Sequence, residues 1–220
     1  MTMDRPSSTV LNVPNQITAV RLVLAIVVFV LIPLQYYMAS LVLFSIAAAT
    51  DWVDGYWARK YDQVTRLGRV FDPFVDKVII CGTYILLAAD SDQQQFAQWG
   101  IAGWMAVVVV ARELMVTVIR SQIEKEGGDF SAKWAGKWKM VFQCGAVIAT
   151  LMALHLTRAS NQPAEDLADW LKWAMAGFVW LSVTSTIYSG AVYLLAGSRI
   201  MRASPDDDSP ESSQGVADDE

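Results

Sequence analysis

Asp51, Asp54, Asp72 and Asp76 fall where two strongly apolar stretches meet, a setting in which a charged carboxylate is costly to keep. The first pair is spaced i, i+3 and the second i, i+4, so each pair shares one face of a helix. Four converging carboxylates repel one another unless a divalent cation neutralises them. Hard oxygen donors suit Mg²⁺ or Mn²⁺. Four acids exceed what one ion needs, which leaves a two-ion site or a three-ligand site with one acid free as a base. Gly55, Ala58 and Gly68 lie on the acidic faces and carry little or no side chain, so a ligand or another helix can approach the backbone there. Arg59, Arg66, Arg69 and Lys77 lie nearby and point to an anionic substrate rather than a bare cation path. Pairing with neighbouring Arg and Lys at an interfacial loop would explain Asp54 alone. It does not explain four acids at these spacings beside small residues.

The elements that must position these acids are membrane helices. The chain has 220 residues, 54% of them hydrophobic, with a mean hydropathy of +0.33, too apolar for an ordinary soluble domain. An all-α, polytopic integral membrane protein is expected, with six transmembrane helices over roughly 16–34, 36–59, 68–89, 96–119, 140–156 and 167–195. Residues 1–15 form an N-terminal segment, in which Asn15, or Thr18 just beyond it, is a candidate helix cap. Residues 16–200 form the membrane domain, and residues 201–220 a disordered tail rich in Ser and Asp. The tail carries much of the net charge of −5. Arg and Lys concentrate at the N-terminus, around the second-to-third and fourth-to-fifth connections, and after the last span. The positive-inside rule therefore puts both termini and the aspartates on the cytoplasmic side of a cell membrane. Trp99, Trp104, Trp170 and Trp173 fit an aromatic belt at the other interface. No cleavable signal peptide is evident. Cys81 and Cys144 read as small buried hydrophobes, and His155 as a bland interfacial side chain.

The pattern Asp51-x-x-Asp54-Gly55-x-x-Ala58-Arg59, then Gly68-x-x-x-Asp72-x-x-x-Asp76, resembles the complete motif of the CDP-alcohol phosphotransferase family. The resemblance implies that Asp51, Asp54, Asp72 and Asp76 hold two Mg²⁺ or Mn²⁺ ions and that Asp76 is also the general base. It implies that Asp51, Asp54, Gly55, Ala58, Arg59, Gly68 and Asp72 bind the CDP moiety. It further implies a homodimer working on membrane lipid; no nucleic-acid partner is expected.

Three further blocks narrow the acceptor. Asn12 to Arg21, Arg112 to Arg120 and Gly136 to Gln143 are similar to segments of the bacterial branch that makes phosphatidylglycerophosphate. Met140 and Ile26 depart from that branch's usual Thr and Pro, without loss of a charge or a ligand. The implied reaction moves a phosphatidyl group from CDP-diacylglycerol to sn-glycerol 3-phosphate. Arg112, Arg120 and Lys139, with Arg21 and Lys137, would then bind the acceptor phosphate, a task for which choline, ethanolamine or serine needs no such cations. The alternatives are inositol phosphate or phosphatidylglycerol as acceptor and, from another class, a divalent-cation transporter.

Overall fold

The computed structural model describes residues 13–61, 66–90, 92, 96, 98–125, 133–160 and 166–203, with side chains over 16–50, 74–90, 92, 96, 98–121, 138–160 and 166–195. Within them the chain is all-helical: α1 (Val13–Leu31), α2 (Tyr37–Tyr61), α3 (Arg66–Ala89), α4 (Gly103–Lys125), α5 (Lys133–Ser160) and α6 (Asp169–Ala203). Even α1, at 19 residues, is about 28 Å long at 1.5 Å per residue, close to the thickness of a hydrocarbon core. By length and composition together, two helical stretches among the described residues qualify as spans, Trp138–Ser160 and Asp169–Leu195; Gln16–Leu31 and Tyr37–Thr50 are apolar but shorter.

The bundle has a buried apolar core, as a soluble domain does, but its outer surface is apolar as well. Val20, Val23 and Val30 of α1, Val107, Leu114 and Val118 of α4, and Ile187 and Leu195 of α6 all face outward. Ser40, Thr83, Thr150, Ser182, Thr186 and Ser189 are buried between helices. Polar groups inside and large aliphatic groups outside is the arrangement a lipid surround favours. Close helix approach accompanies it. A Cβ on Gly82 would lie 2.2 Å from the tip of the Phe29 ring, so α1 seats that ring in the space the glycine leaves on α3. Gly145 receives Phe178 of α6 in the same way. Tyr84 and Ser182 share a 2.7 Å hydrogen bond between α3 and α6.

Element boundaries move where local chemistry competes with hydropathy. Helix α1 starts at Val13 with Pro14 in its first turn, where a missing N–H costs nothing; Asn15 and Thr18 are therefore both inside the helix and neither is its cap, and Thr18 is buried. The fourth helix starts at Gly103, not at Phe96. Gly100 and Gly103 disfavour helix. The 96–100 segment turns instead, with Phe96 accepting bonds from the Trp99 and Gly100 amides while its ring is buried. Helix α5 begins at Lys133, so Lys133, Lys137 and Lys139 ride on helix rather than in a loop. Helix α6 runs to Ala203; residues 204–220, which hold most of the expected tail, lie outside the described residues, as do 1–12. Cys81 and Cys144 are only half-buried.

The α1–α2 turn ends in a left-handed residue. Gln35 has φ 62°, its amide bonds the Ile32 carbonyl at 2.8 Å, and the Tyr36 amide bonds the Leu31 carbonyl at 3.0 Å. This double bond pattern normally places glycine at the left-handed position. Gln35→Gly is therefore expected to raise stability by about 0.5–1 kcal/mol, the cost an L side chain meets there. A rise of a few degrees in the melting temperature of the purified protein would show it, and an unchanged or lower value would refute it.

At the same end of the bundle, the Tyr37 hydroxyl lies 3.0 Å from a carboxylate oxygen of each of Asp90 and Asp92. Arg158 of α5 donates to Asp92 at 3.2 Å. This clasp ties the start of α2, the end of α3 and the end of α5 at the end opposite the four aspartates. Trp104, Trp170 and Trp173 are exposed at that end, and the Lys172 ammonium sits 5.4 Å over the Trp99 ring.

Candidate active site

The acidic motif occupies the last turns of α2 and the first turns of α3. Helix α3 continues through Pro73, so Asp72 and Asp76 keep the one-turn spacing that puts them on one face. The side chains of Asp51, Asp54, Gly55, Ala58, Arg59, Gly68, Asp72 and Lys137 lie outside the described residues. Among the described residues, which thus include one of the four aspartates, no group of three or more His, Cys, Asp or Glu is placed to hold a metal.

Asp76 is the described acid. Its side chain is 28% exposed, and its Oδ1 accepts a 2.6 Å bond from Nη1 of Arg21, which is almost fully buried. The α1–α3 contact thus fixes the direction of the carboxylate. Arg21, a candidate acceptor cation, is thus paired with the described acid of the site. The next residue on α3 turns the other way: Lys77 Nζ donates to Thr117 Oγ1 of α4. Neighbouring residues on a helix point about 100° apart, so α3 directs Asp76 to α1 and Lys77 to α4.

A second group of charges is built around an acid. Glu113 of α4 is buried, and its Oε1 accepts from Nη1 of Arg112 at 3.1 Å and from Nζ of Lys139 on α5. Arg112 Nη2 donates to Ser189 Oγ of α6, and its guanidinium stacks 5.6 Å from the centre of the Tyr193 ring. Gln143 and Thr186 make a further α5–α6 bond at 3.3 Å. Two cations sharing one carboxylate leave one net positive charge in a poorly hydrated interior, which favours an anion. Moreover, Arg112 Nε is buried without a hydrogen-bond partner among the described residues. An orphan donor on a buried guanidinium is costly unless an acceptor arrives.

The structure therefore brings together Arg112 and Lys139 through Glu113, and separately Arg21 and Asp76. Arg120, two turns beyond Arg112, is exposed on α4 five residues before its end. Sequence reasoning gave no role to Glu113, Ser189 or Tyr193. A signal for Glu113 exists: it is the one carboxylate between residues 93 and 123, and an acid inside an apolar helix needs a partner. Ser189 and Tyr193, at i, i+4 in α6, carry no comparable mark.

Comparison with known proteins agrees with this chemistry. A family model described as CDP-alcohol phosphatidyltransferase matches residues 11–188. A protein of Bacillus subtilis (strain 168) named CDP-diacylglycerol–glycerol-3-phosphate 3-phosphatidyltransferase is 32% identical over 198 residues, covering 83% of this chain and 93% of its own. A Pseudomonas fluorescens protein of the same name is 30% identical, covering 84% of this chain and 90% of its own. One from Yersinia pestis (strain Pestoides F) is 32% identical over 146 residues, covering 64% and 77%. With the acidic motif, the family match over most of the chain and these relatives in hand, the chain belongs to the CDP-alcohol phosphatidyltransferase family and is a membrane enzyme of that class.

Proposed function

We propose that the chain transfers the phosphatidyl group of CDP-diacylglycerol to sn-glycerol 3-phosphate, giving phosphatidylglycerophosphate and CMP for phospholipid synthesis. The observation that carries the acceptor is the buried Arg112–Glu113–Lys139 group with its net positive charge and orphan Nε, a seat for a phosphate monoester. The relatives' shared name supports the same acceptor. In this reading Arg112 and Lys139 hold the acceptor phosphate, and Arg120 attracts it from the aqueous edge. That fixes the glycerol hydroxyl toward Asp76 of α3. The hydroxyl oxygen attacks the phosphorus bearing the diacylglycerol, its proton passes to Asp76, and the bond to CMP breaks with the electron pair leaving on CMP.

Carboxylates at 51, 54, 72 and 76 would give a hard-oxygen donor set suited to Mg²⁺ or Mn²⁺, and Asp76, the described member, is partly exposed. Such ions, when bound, supply electrostatic stabilisation to the phosphoryl oxygens and the departing phosphate. The proposal includes six membrane crossings in the inner membrane, with both termini and the site cytoplasmic. The outward aliphatic faces, helix lengths and charge distribution support it.

The test is CMP release by the purified protein from CDP-diacylglycerol with glycerol 3-phosphate, inositol phosphate or phosphatidylglycerol, before and after chelation. Release that needs glycerol 3-phosphate, vanishes with EDTA and returns with Mg²⁺ or Mn²⁺ is expected. Release with another acceptor alone would sink the acceptor assignment, and chelator-resistant release would sink the metal site.

A further inference from the structure

The acceptor cations lie on α4 and α5, yet the contacts that orient Arg112 come largely from α6. Ser189 takes its Nη2, Tyr193 offers a ring face to the guanidinium, and Gly190 faces its aliphatic stem. A Cβ on Gly190 would stand 3.3 Å from Arg112 Cγ and 3.6 Å from Met115 Cε, so the missing side chain makes the channel along which the arginine lies. Ser189 and Tyr193, one turn apart, share a helix face. All three residues follow the matched stretch 11–188.

We propose that Ser189, Gly190 and Tyr193 form a cradle on α6 that positions Arg112 for the phosphate of the acceptor. The inference rests on the acceptor reading above and assigns its orienting residues. With Nη1 bound to Glu113 and Nη2 to Ser189, rotation of the guanidinium about its stem is restrained, and Nε is the guanidinium nitrogen left without a partner among the described residues. Rotation is the freedom an arginine must lose to bind a phosphate, and a group already held loses less on binding. These are positioning residues: they act on the acceptor through Arg112.

The experiment uses the full-length enzyme in lipid nanodiscs, varying glycerol 3-phosphate at saturating CDP-diacylglycerol and then the reverse. Ser189→Ala removes a hydrogen bond to a charged group, and Tyr193→Leu removes the ring face. Each is expected to raise KM for glycerol 3-phosphate about tenfold, the equivalent of roughly 1.4 kcal/mol. KM for CDP-diacylglycerol should stay within about twofold and the melting temperature within a few degrees. Tyr193→Phe, which keeps the ring, should raise the acceptor KM less than Tyr193→Leu does. Ser185→Ala, one turn earlier on α6, serves as the control.

An unchanged acceptor KM in Ser189→Ala overturns the cradle. So does an equal rise in both KM values with a fall in melting temperature, which would mark the contacts as purely structural. If Tyr193→Leu does not fold, Ser189→Ala decides alone. Wild-type enzyme that takes a different phosphorylated alcohol overturns the acceptor reading, and the same split, read on that alcohol, then judges the cradle. Wild-type enzyme that takes only an unphosphorylated acceptor overturns both.

Discussion

Asp76→Asn is expected to lower the rate of CMP release about a thousandfold while leaving the protein folded. Asparagine cannot accept a proton at neutral pH, and a positioned general base typically contributes about 10²–10⁴-fold. It also removes one of the four carboxylates that would balance divalent cations. The fold should tolerate the change for a specific reason. Arg21 Nη1 reaches Oδ1 of Asp76 at 2.6 Å, and the amide oxygen of asparagine can accept in the same place. The ion pair becomes a charge-assisted hydrogen bond, and the side chain remains 28% exposed to share the polar environment. Turnover and melting temperature, measured on the same preparation, separate the readings. A variant that keeps a tenth or more of wild-type turnover shows that Asp76 is not the base. A variant that unfolds by many degrees shows that Asp76 serves chiefly as the anchor of Arg21.

Glu113→Ala is expected to cost about 3–5 kcal/mol of stability, the penalty for leaving buried charge without its partner. One carboxylate oxygen serves Arg112 of the same helix and Lys139 of the next. Its loss leaves two cations facing each other where water has little access, and it severs the polar tie between α4 and α5. Glu113→Gln should cost less, because an amide oxygen can still accept one of the two bonds. The order wild type, Gln, Ala in melting temperature is therefore part of the expectation. An alanine variant as stable as wild type would show that the two cations find water or phosphate in place of Glu113. Where either variant loses stability, high phosphate should recover part of it, since an anion that binds the folded state stabilises it by mass action.

The two predictions differ in how far the sequence alone reaches. Asp76 is legible because its information is local. Spacings of three and four residues put acids on a helix face whatever the helix packs against, and an acid within an apolar run is marked by its cost. The family was legible for the same reason, since the motif from Asp51 to Asp76 is contiguous, and the all-helical fold follows from the length of the apolar runs. Boundaries were less legible. Phe96 has the hydropathy of a span, yet two glycines and a favourable burial site turn that segment away from helix. The left-handed Gln35 could not be read, because glutamine does not advertise that conformation.

Glu113 belongs to the other kind of information. The same sequence places Arg112 beside Glu113 and Lys139 26 residues further on, and nothing local says that all three meet. Their meeting is set by which faces of α4, α5 and α6 pack together, and that depends on fits such as Phe178 into the gap at Gly145. By itself the sequence determined the helices, the acidic motif and the chemistry class, because each depends on residues within a turn or two of one another. The tertiary structure alone decided which cation answers which acid: Arg21 to Asp76, and Arg112 with Lys139 to Glu113. The physical reason is that ion pairing inside a bundle is chosen by distance between helix faces, and helix faces are brought together by packing rather than by sequence proximity.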